Sequence, residues 1–323
     1  DPAPSPTTDL TGLYACITDH TSGSPKDYPA RWKLVSAQSW AGLSGKPDAM
    51  AVGADAAAAR AAIGAVAIDD VQSLAFGAVY DTDTVALLSR MSVLPDATRR
   101  NAINTLILAL KTNNLWTRLD GLYLFAAHSQ QAALLNWRRN AANMVATNSP
   151  TFTADRGFTG DGASAFLTNV NAATVNTQPT DVAVSLWLRS KKTVGSWDLS
   201  WSGWEQRIST GAGTVGWRSS EGTGHTASIS DANQPGLYTI SRAAAGASKM
   251  YKDGSLVDST ANAYNAAGTY TSTLPIYIGV TSGTSGYTNG SYSACAYGGS
   301  MSDAEAALFY NAIHTYLSAV GAV

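Results

Sequence analysis

From about residue 148 onward the chain runs through short stretches of alternating polarity separated by turn residues, and few architectures accept that pattern. In "VAVSLWLRS", Val182, Val184, Leu186 and Leu188 share one parity, and Ser185 and Trp187 the other. Successive side chains of a strand point to opposite faces, so this run reads as a strand with two distinct surfaces. "AFLTNV", "QRIST", "VGWRS", "LYTISRA", "SKMYKDGSLV", "LPIYIGV" and "SYSACAYGG" repeat the theme. The Asp-Gly pair in "MYKDGSLV" marks a tight hairpin. Many short strands joined by turns predict an antiparallel β-sandwich or jelly roll. A closing helix follows in "MSDAEAALFYNAIHTYLSAV", where Ser302 and Glu305 have the spacing of a capping box.

Three further zones precede this one. Residues 1–40 hold two short strands, "LYACI" and "RWKLVS", around the turn "DHTSGSP"; two strands cannot hold a core alone. Residues 41–79 include the Ala-rich "LSGKPDAMAVGADAAAARAAIGA", which has too few large apolar residues to build a core. Residues 80–147 read as helical. Ile103, Leu106, Ile107 and Leu110 form one stripe, and Asp96 is placed to cap it. "LDGLYLFAAHSQQAALLNW" reads as the continuation of these helices.

Composition narrows the function classes. Of 323 residues 45% are hydrophobic, and only 14% are charged, so the chain is globular with neutral polar loops. A net charge of −2 gives no basic footprint for nucleic acid. No apolar run is long enough to span a membrane. The opening "DPAPSPTTDL" lacks the form of a signal peptide and reads as a Pro-rich linker. Cys16 and Cys295 stand at opposite ends of the chain and form neither a disulfide framework nor a metal motif.

The residues that most resemble a site are aromatic. "VGSWDLSWSGWEQRIS" crowds Trp197, Trp201 and Trp204 into a Gly/Ser-rich stretch, and Trp217 follows in "VGWRSSEGTGH". Aromatic rings stack on the apolar faces of sugars, and neighbouring polar groups hydrogen-bond the hydroxyls. Arg207, Arg218, Glu221 and Asp198 are the nearest charged candidates. The carbohydrate-binding set is therefore Trp197, Trp201, Trp204, Arg207, Trp217, Arg218 and Glu221. Tyr14, Trp32 and Trp40 form a second aromatic group.

Catalytic patterns are weak. Glu205 and Glu221 lie in different segments and do not form the paired carboxylates a glycosidase needs. His20, His128, His225 and His314 are scattered without zinc spacing. Tyr238, Arg242 and Tyr277 are lyase-type residues, but alternation does not single out a site. No cofactor is implied; calcium is a candidate through Asp161, Asp231, Asn233, Asp253 and Asn289, each of which also reads as a turn former.

"GLYTISRAAAGASKMYKDGSLV" and "YIGVTSGTSGYTNGSYSACAYGGSMSDAEAALFYNAI" resemble the strand–hairpin–strand and the final strand with closing helix of the concanavalin A-like, laminin-G-like sandwich. "FTADRGFTGDGASAFL" and "LILALKTNNLWTRLDGLYLFAAHSQQAALLNW" resemble the segments that lead into this domain in phage tail proteins. "YACITDHTSGSPKDYPARWKLVS" is similar to a small carbohydrate-binding-like module of tail fibres, and "LSGKPDAMAVGADAAAARAAIG" to their linkers and shafts. The resemblance implies a virion appendage protein, a homotrimer outside the host cell. Its lectin-like head binds host polysaccharide or lipopolysaccharide without catalysis, and its other partners are virion proteins. Residues 148–323 would be that head, 41–79 a shaft segment and 1–40 an attachment or sugar-binding module. A depolymerase on the same scaffold and a bacterial surface adhesin are the alternatives.

Overall fold

The computed structural model describes residues 13–16, 32–36, 80–169, 176–178, 180–201, 206–219, 225–230, 233–261, 275–282 and 284–323. The chain divides into two units, Asp1–Gly77 and Ala78–Val323. In the first, β1 (Leu13–Cys16) and β2 (Trp32–Ser36) pair antiparallel, as the sequence predicts, with an irregularity between Leu13 and Tyr14. The Ala-rich stretch and Trp40 lie outside the described residues, as do the side chains of Tyr14 and Trp32.

The second unit begins with α1 (Thr82–Leu88) and α2 (Ala97–Thr112). Asp96 caps α2 by accepting the Arg99 N–H at 2.8 Å, and Ile103, Leu106, Ile107 and Leu110 are buried together. Then follow β3 (Leu119–Leu124), α3 (Gln130–Leu134), β4 (Met144–Thr147), β5 (Thr151–Thr153), β6 (Gly157–Thr159), β7 (Phe166–Asn169), β8 (Val182–Ser190) and β9 (Leu199–Trp201). The rest comprises β10 (Gln206–Gly211), β11 (Thr214–Ser219), β12 (His225–Ser228), β13 (Gly236–Ala244), β14 (Ala247–Lys252), β15 (Ser255–Thr260), β16 (Tyr277–Ile278), β17 (Ser291–Gly298) and the closing α4 (Asp303–Ala319). Ser302 and Glu305 form the expected capping box on α4.

The strands make an antiparallel sandwich of two sheets. One has seven strands in the order β12-β11-β10-β9-β16-β7-β4. The other has eight: β15-β14-β13-β8-β17-β6-β5, with β3 also paired to β17. The inner faces meet where Trp201 sets its edge against Tyr297, and where Arg242 reaches from β13 to the Ser219 carbonyl of β11. Helices cover the opposite face of the eight-stranded sheet. Trp187 of β8 stacks flat on Tyr310 of α4, Ser241 of β13 bonds the Met301 backbone, and Tyr251 of β14 donates to Asp303. Tyr316 of α4 in turn packs edge-on against Trp137. The unit is thus three-layered, and β8 is buried on both faces from Val182 to Leu188.

The segment 119–124 corrects the sequence reading, which made it a continuation of the helices. It is β3, buried at every residue and paired with β17 from Leu119↔Gly298 to Leu124↔Ala294. A strand buried on both sides loses the polar alternation that distinguishes it from a buried helical turn. Residues 80–147, read from the sequence as helical, therefore supply two strands, β3 in one sheet and β4 in the other, besides the helices α1, α2 and α3.

One buried carboxylate fastens the end of the sandwich near the loop that leads into β9. Asp198 is fully buried. Its Oδ2 accepts from Lys192 Nζ at 3.0 Å, the Thr210 N–H at 2.7 Å and Thr210 Oγ1 at 2.8 Å. Its Oδ1 accepts from Tyr292 Oη at 2.9 Å. Lys192 also donates to the Thr210 carbonyl and to Ser209 Oγ. The β8–β9 loop, β10 of one sheet and β17 of the other are joined through this side chain. Burial, and then the Asp198 charge, push the Tyr292 phenol well above its ordinary pKa, so it stays a donor.

Two outcomes follow from this architecture. A fragment of residues 148–323 keeps α4 but lacks β3, β4 and the helices α1–α3, so it should aggregate or melt without cooperativity, whereas 78–323 should give a single cooperative transition by circular dichroism; a well-folded 148–323 would show that these elements are dispensable. Asp198→Ala leaves Lys192 buried without its carboxylate and should cost about 3–5 kcal/mol in urea unfolding; a loss near zero would show that the network is dispensable.

Candidate functional site

The two sheets differ in what lies on their outer faces. Helices cover the eight-stranded sheet, while the seven-stranded sheet presents half-buried and exposed side chains along β10, β11 and β12. Strand register builds a transverse row there. Val145 pairs with Thr168, Thr168 with Tyr277, Tyr277 with Ser200, Ser200 with Arg207, and Arg207 with Arg218. Adjacent strands lie about 4.8 Å apart, so Tyr277 and Arg207 are roughly 10 Å apart at the backbone, close to the span of two sugar rings.

Further aromatic groups flank the row. The Phe166 ring lies 6.1 Å from both Tyr277 and Tyr287. Tyr277, Tyr287 and Trp197 are each half-buried, so part of each side chain remains accessible. The Arg207 guanidinium lies 5.5 Å from the centre of the Trp197 ring, a cation–π contact that restrains both side chains.

The loop carrying Trp197 is held against the β16–β17 loop carrying Tyr287. Asn289 Oδ1 accepts the Thr193 and Val194 N–H groups, and Asn289 Nδ2 donates to Thr193 Oγ1. The Ser196 N–H bonds the Gly286 carbonyl at 3.3 Å. Gly195 makes this approach possible: its φ is +88°, and a Cβ there would sit 2.2 Å from the Tyr287 carbonyl oxygen.

The sequence-derived site divides on this framework. Trp197 and Arg207 come together, and Arg207 and Arg218 are direct cross-strand neighbours. Trp201 and Trp217 do not belong to the surface; both are fully buried. Trp201 packs on Tyr297, and Trp217 donates through Nε1 to Asp258 at 2.8 Å beside the His225 ring. Each lies on the inward parity of its strand, with Leu199 and Val215 respectively, and that alternation was the signal for a core position. Trp204, Glu205 and Glu221 lie outside the described residues. Tyr277, Tyr287 and Phe166 join the face although their positions along the chain do not group them, because strand pairing between distant segments brings them together.

The remaining candidates have separate structural roles. Tyr238 is buried and donates to the Gln234 carbonyl, and Arg242 is buried against backbone carbonyls, so neither converges with Tyr277. His128 bonds the Val93 carbonyl, His225 packs on Trp217, and His314 lies beside Trp187 and Tyr310; His20 lies outside the described residues. Cys295 is a buried thiol whose pKa burial raises. Among the calcium candidates, Asp161 accepts the N–H groups of Ala163, Ser164 and Ala165, and these bonds hold its carboxyl well below the usual range. Asp253 accepts the Leu237 N–H and pairs with Lys252, and Asn289 fastens the loop described above. Asp231 lies outside the described residues, and no group of three His, Cys, Asp or Glu gathers as a metal site among the described residues.

No family model matches the chain, and comparison with curated proteins yields no match. Among solved structures it is similar to the botulinum neurotoxin serotype D binding domain, at 12% identity and a TM-score of 0.41 over 59% of this chain and 52% of that one. It is similar to the serotype D/C binding domain at 10% identity and a TM-score of 0.47, over 61% and 53% of the respective chains. Domain 4 of AbnA, an extracellular GH43 arabinanase from Geobacillus stearothermophilus solved with arabinotriose, is similar at 14% identity and a TM-score of 0.38, over 59% and 97%. The chain spans about half the length of the toxin structures it matches.

Proposed function

We propose that this chain is a non-catalytic glycan-binding protein that holds sugar on the outer face of its seven-stranded sheet. The observation that carries the reading is the half-buried aromatic set Trp197, Tyr277 and Tyr287 beside the cross-strand pair Arg207 and Arg218. Flat rings receive the apolar face of a sugar, and guanidinium groups donate to hydroxyl or acidic substituents. Placement on paired strands and tied loops orders these groups before ligand arrives, which lowers the entropic cost of binding. The narrower reading is a virion appendage that attaches to host polysaccharide or lipopolysaccharide as a homotrimer. Its support is the sequence resemblance to tail-fibre segments in both units.

Binding to an array of bacterial surface polysaccharides tests the site. Trp197→Ala and Tyr277→Ala should each weaken binding by roughly fivefold, about 1 kcal/mol of stacking, with little change in melting temperature. Trp201→Ala should instead lower stability by about 3–5 kcal/mol, because it empties a core position. Unchanged binding in both surface variants would remove this face from the site, and shortening of the polysaccharide chains during incubation would replace binding by catalysis. Light scattering of the full chain should give a trimer mass; a monomer would count against the appendage reading and leave the glycan face untouched.

A further inference from the structure

On the helical side of the second unit, a groove lies between the end of α1 and the turn 137–140, lined in part by Asp83, Arg90, Arg138, Arg139 and Asn140. We propose that it is a second binding site, built for an oxyanion, the carboxylate of an acidic sugar or a phosphate.

The charge balance is the first argument. Asp83 of the groove wall pairs with Lys111 at 2.5 Å and accepts from Trp116 Nε1 at 3.0 Å, so its charge is already answered. Arg139 pairs with the buried Asp120 at 3.4 Å. Arg90 and Arg138 meet no carboxylate among the described residues; their acceptors are main-chain oxygens. Two cationic side chains in one groove of a chain whose net charge is −2 are a local excess that favours an anion. Burial lowers the pKa of Arg90, the expected effect of holding a guanidinium away from water without a counter-charge.

Preorganisation is the second. Arg90 donates to the Arg139 and Asn136 carbonyls at 3.1 and 2.8 Å, pinning the turn from below. Arg138 donates through Nε to the Trp116 carbonyl at 2.8 Å and lies 5.4 Å from the centre of the Trp116 ring. Among the described residues its terminal nitrogens meet no hydrogen-bond acceptor, and a guanidinium edge of this kind matches the two oxygens of a carboxylate or phosphate. Asn136, fully buried, fixes the turn itself: it accepts the Leu122 and Arg138 N–H groups and donates to the Ala141 carbonyl. The groove is therefore a rigid cradle with its donors already oriented.

Calorimetric titration of the full chain with trigalacturonate, with inorganic phosphate and with neutral maltotriose tests the proposal. At least one acidic probe should bind at millimolar concentration or better, more weakly as salt is raised, while maltotriose is indifferent to this groove. Arg138→Gln should weaken the acidic probe by roughly tenfold, the loss of a charge-assisted pair, and Arg138→Lys by less. Arg138→Gln should weaken the acidic probe by the same factor in a Trp197→Ala background, which separates this groove from the sheet face. Binding of phosphate without the uronate identifies a phosphate site; binding of the uronate without phosphate identifies an acidic-sugar site. Failure of both probes to bind, or equal binding by wild type and a folded Arg138→Gln, would overturn the proposal.

Discussion

The buried Asp198–Lys192 pair is the constraint on which this end of the sandwich depends. Removing two charges from water is unfavourable unless their remaining hydrogen-bonding capacity is filled. Here it is filled by Thr210, Tyr292 and the main chain of β10. The network acts across layers, since Thr210 belongs to one sheet and Tyr292 to the other. It also fixes the residue after Trp197. The backbone of Asp198 continues the tie, donating to the Ile208 carbonyl and accepting from the Gly279 N–H. The half-buried Trp197 ring is thus set next to a fully buried and fully bonded residue of its loop.

The same logic of filled valences explains why the proposed site falls on the outer face of the seven-stranded sheet. The eight-stranded sheet is central in a three-layer stack; Trp187 and Tyr251 direct their outward positions to α4, and Ser241 to the Met301 backbone just before it. The seven-stranded sheet has only one side committed to the core. Its outward positions on β10 and β11 carry Arg207, Ser209, Gly216 and Arg218 rather than large aliphatic residues. A face of that composition is stable in water and still rich in donors.

Much of this was legible in the chain. The parity of Val182 to Leu188, the stripe of α2 and the caps at Asp96 and Ser302 all express local rules, and the structure follows them. The Asp-Gly signal also holds: Asp253 and Gly254 both adopt positive φ, at 50° and 76°, as a type I′ turn requires. What was not legible depends on pairing at a distance. β3 reads as helix because both of its faces are buried, and its partner β17 lies more than 150 residues away. Trp201 and Trp217 look like a surface cluster when proximity in sequence is weighed above parity within each strand. Tyr277 and Phe166 are separated by 111 positions and meet only through the β7–β16 register.

Rigidity gives these separate features a common meaning. Recognition of a sugar offers weak individual contacts, so little binding energy remains if the protein must first order its own side chains. On the sheet face that ordering is supplied by strand pairing, the Arg207–Trp197 contact and the Asn289 clasp. In the arginine groove it is supplied by main-chain carbonyls and a buried asparagine. The two proposed surfaces would use different chemistry, stacking in one and charge in the other, yet both set their donors on backbone held by strand pairing or by side-chain hydrogen bonds. A surface built this way can remain selective for shape with few contacts, because the backbone that presents its rings and guanidinium groups does not have to be ordered by the ligand.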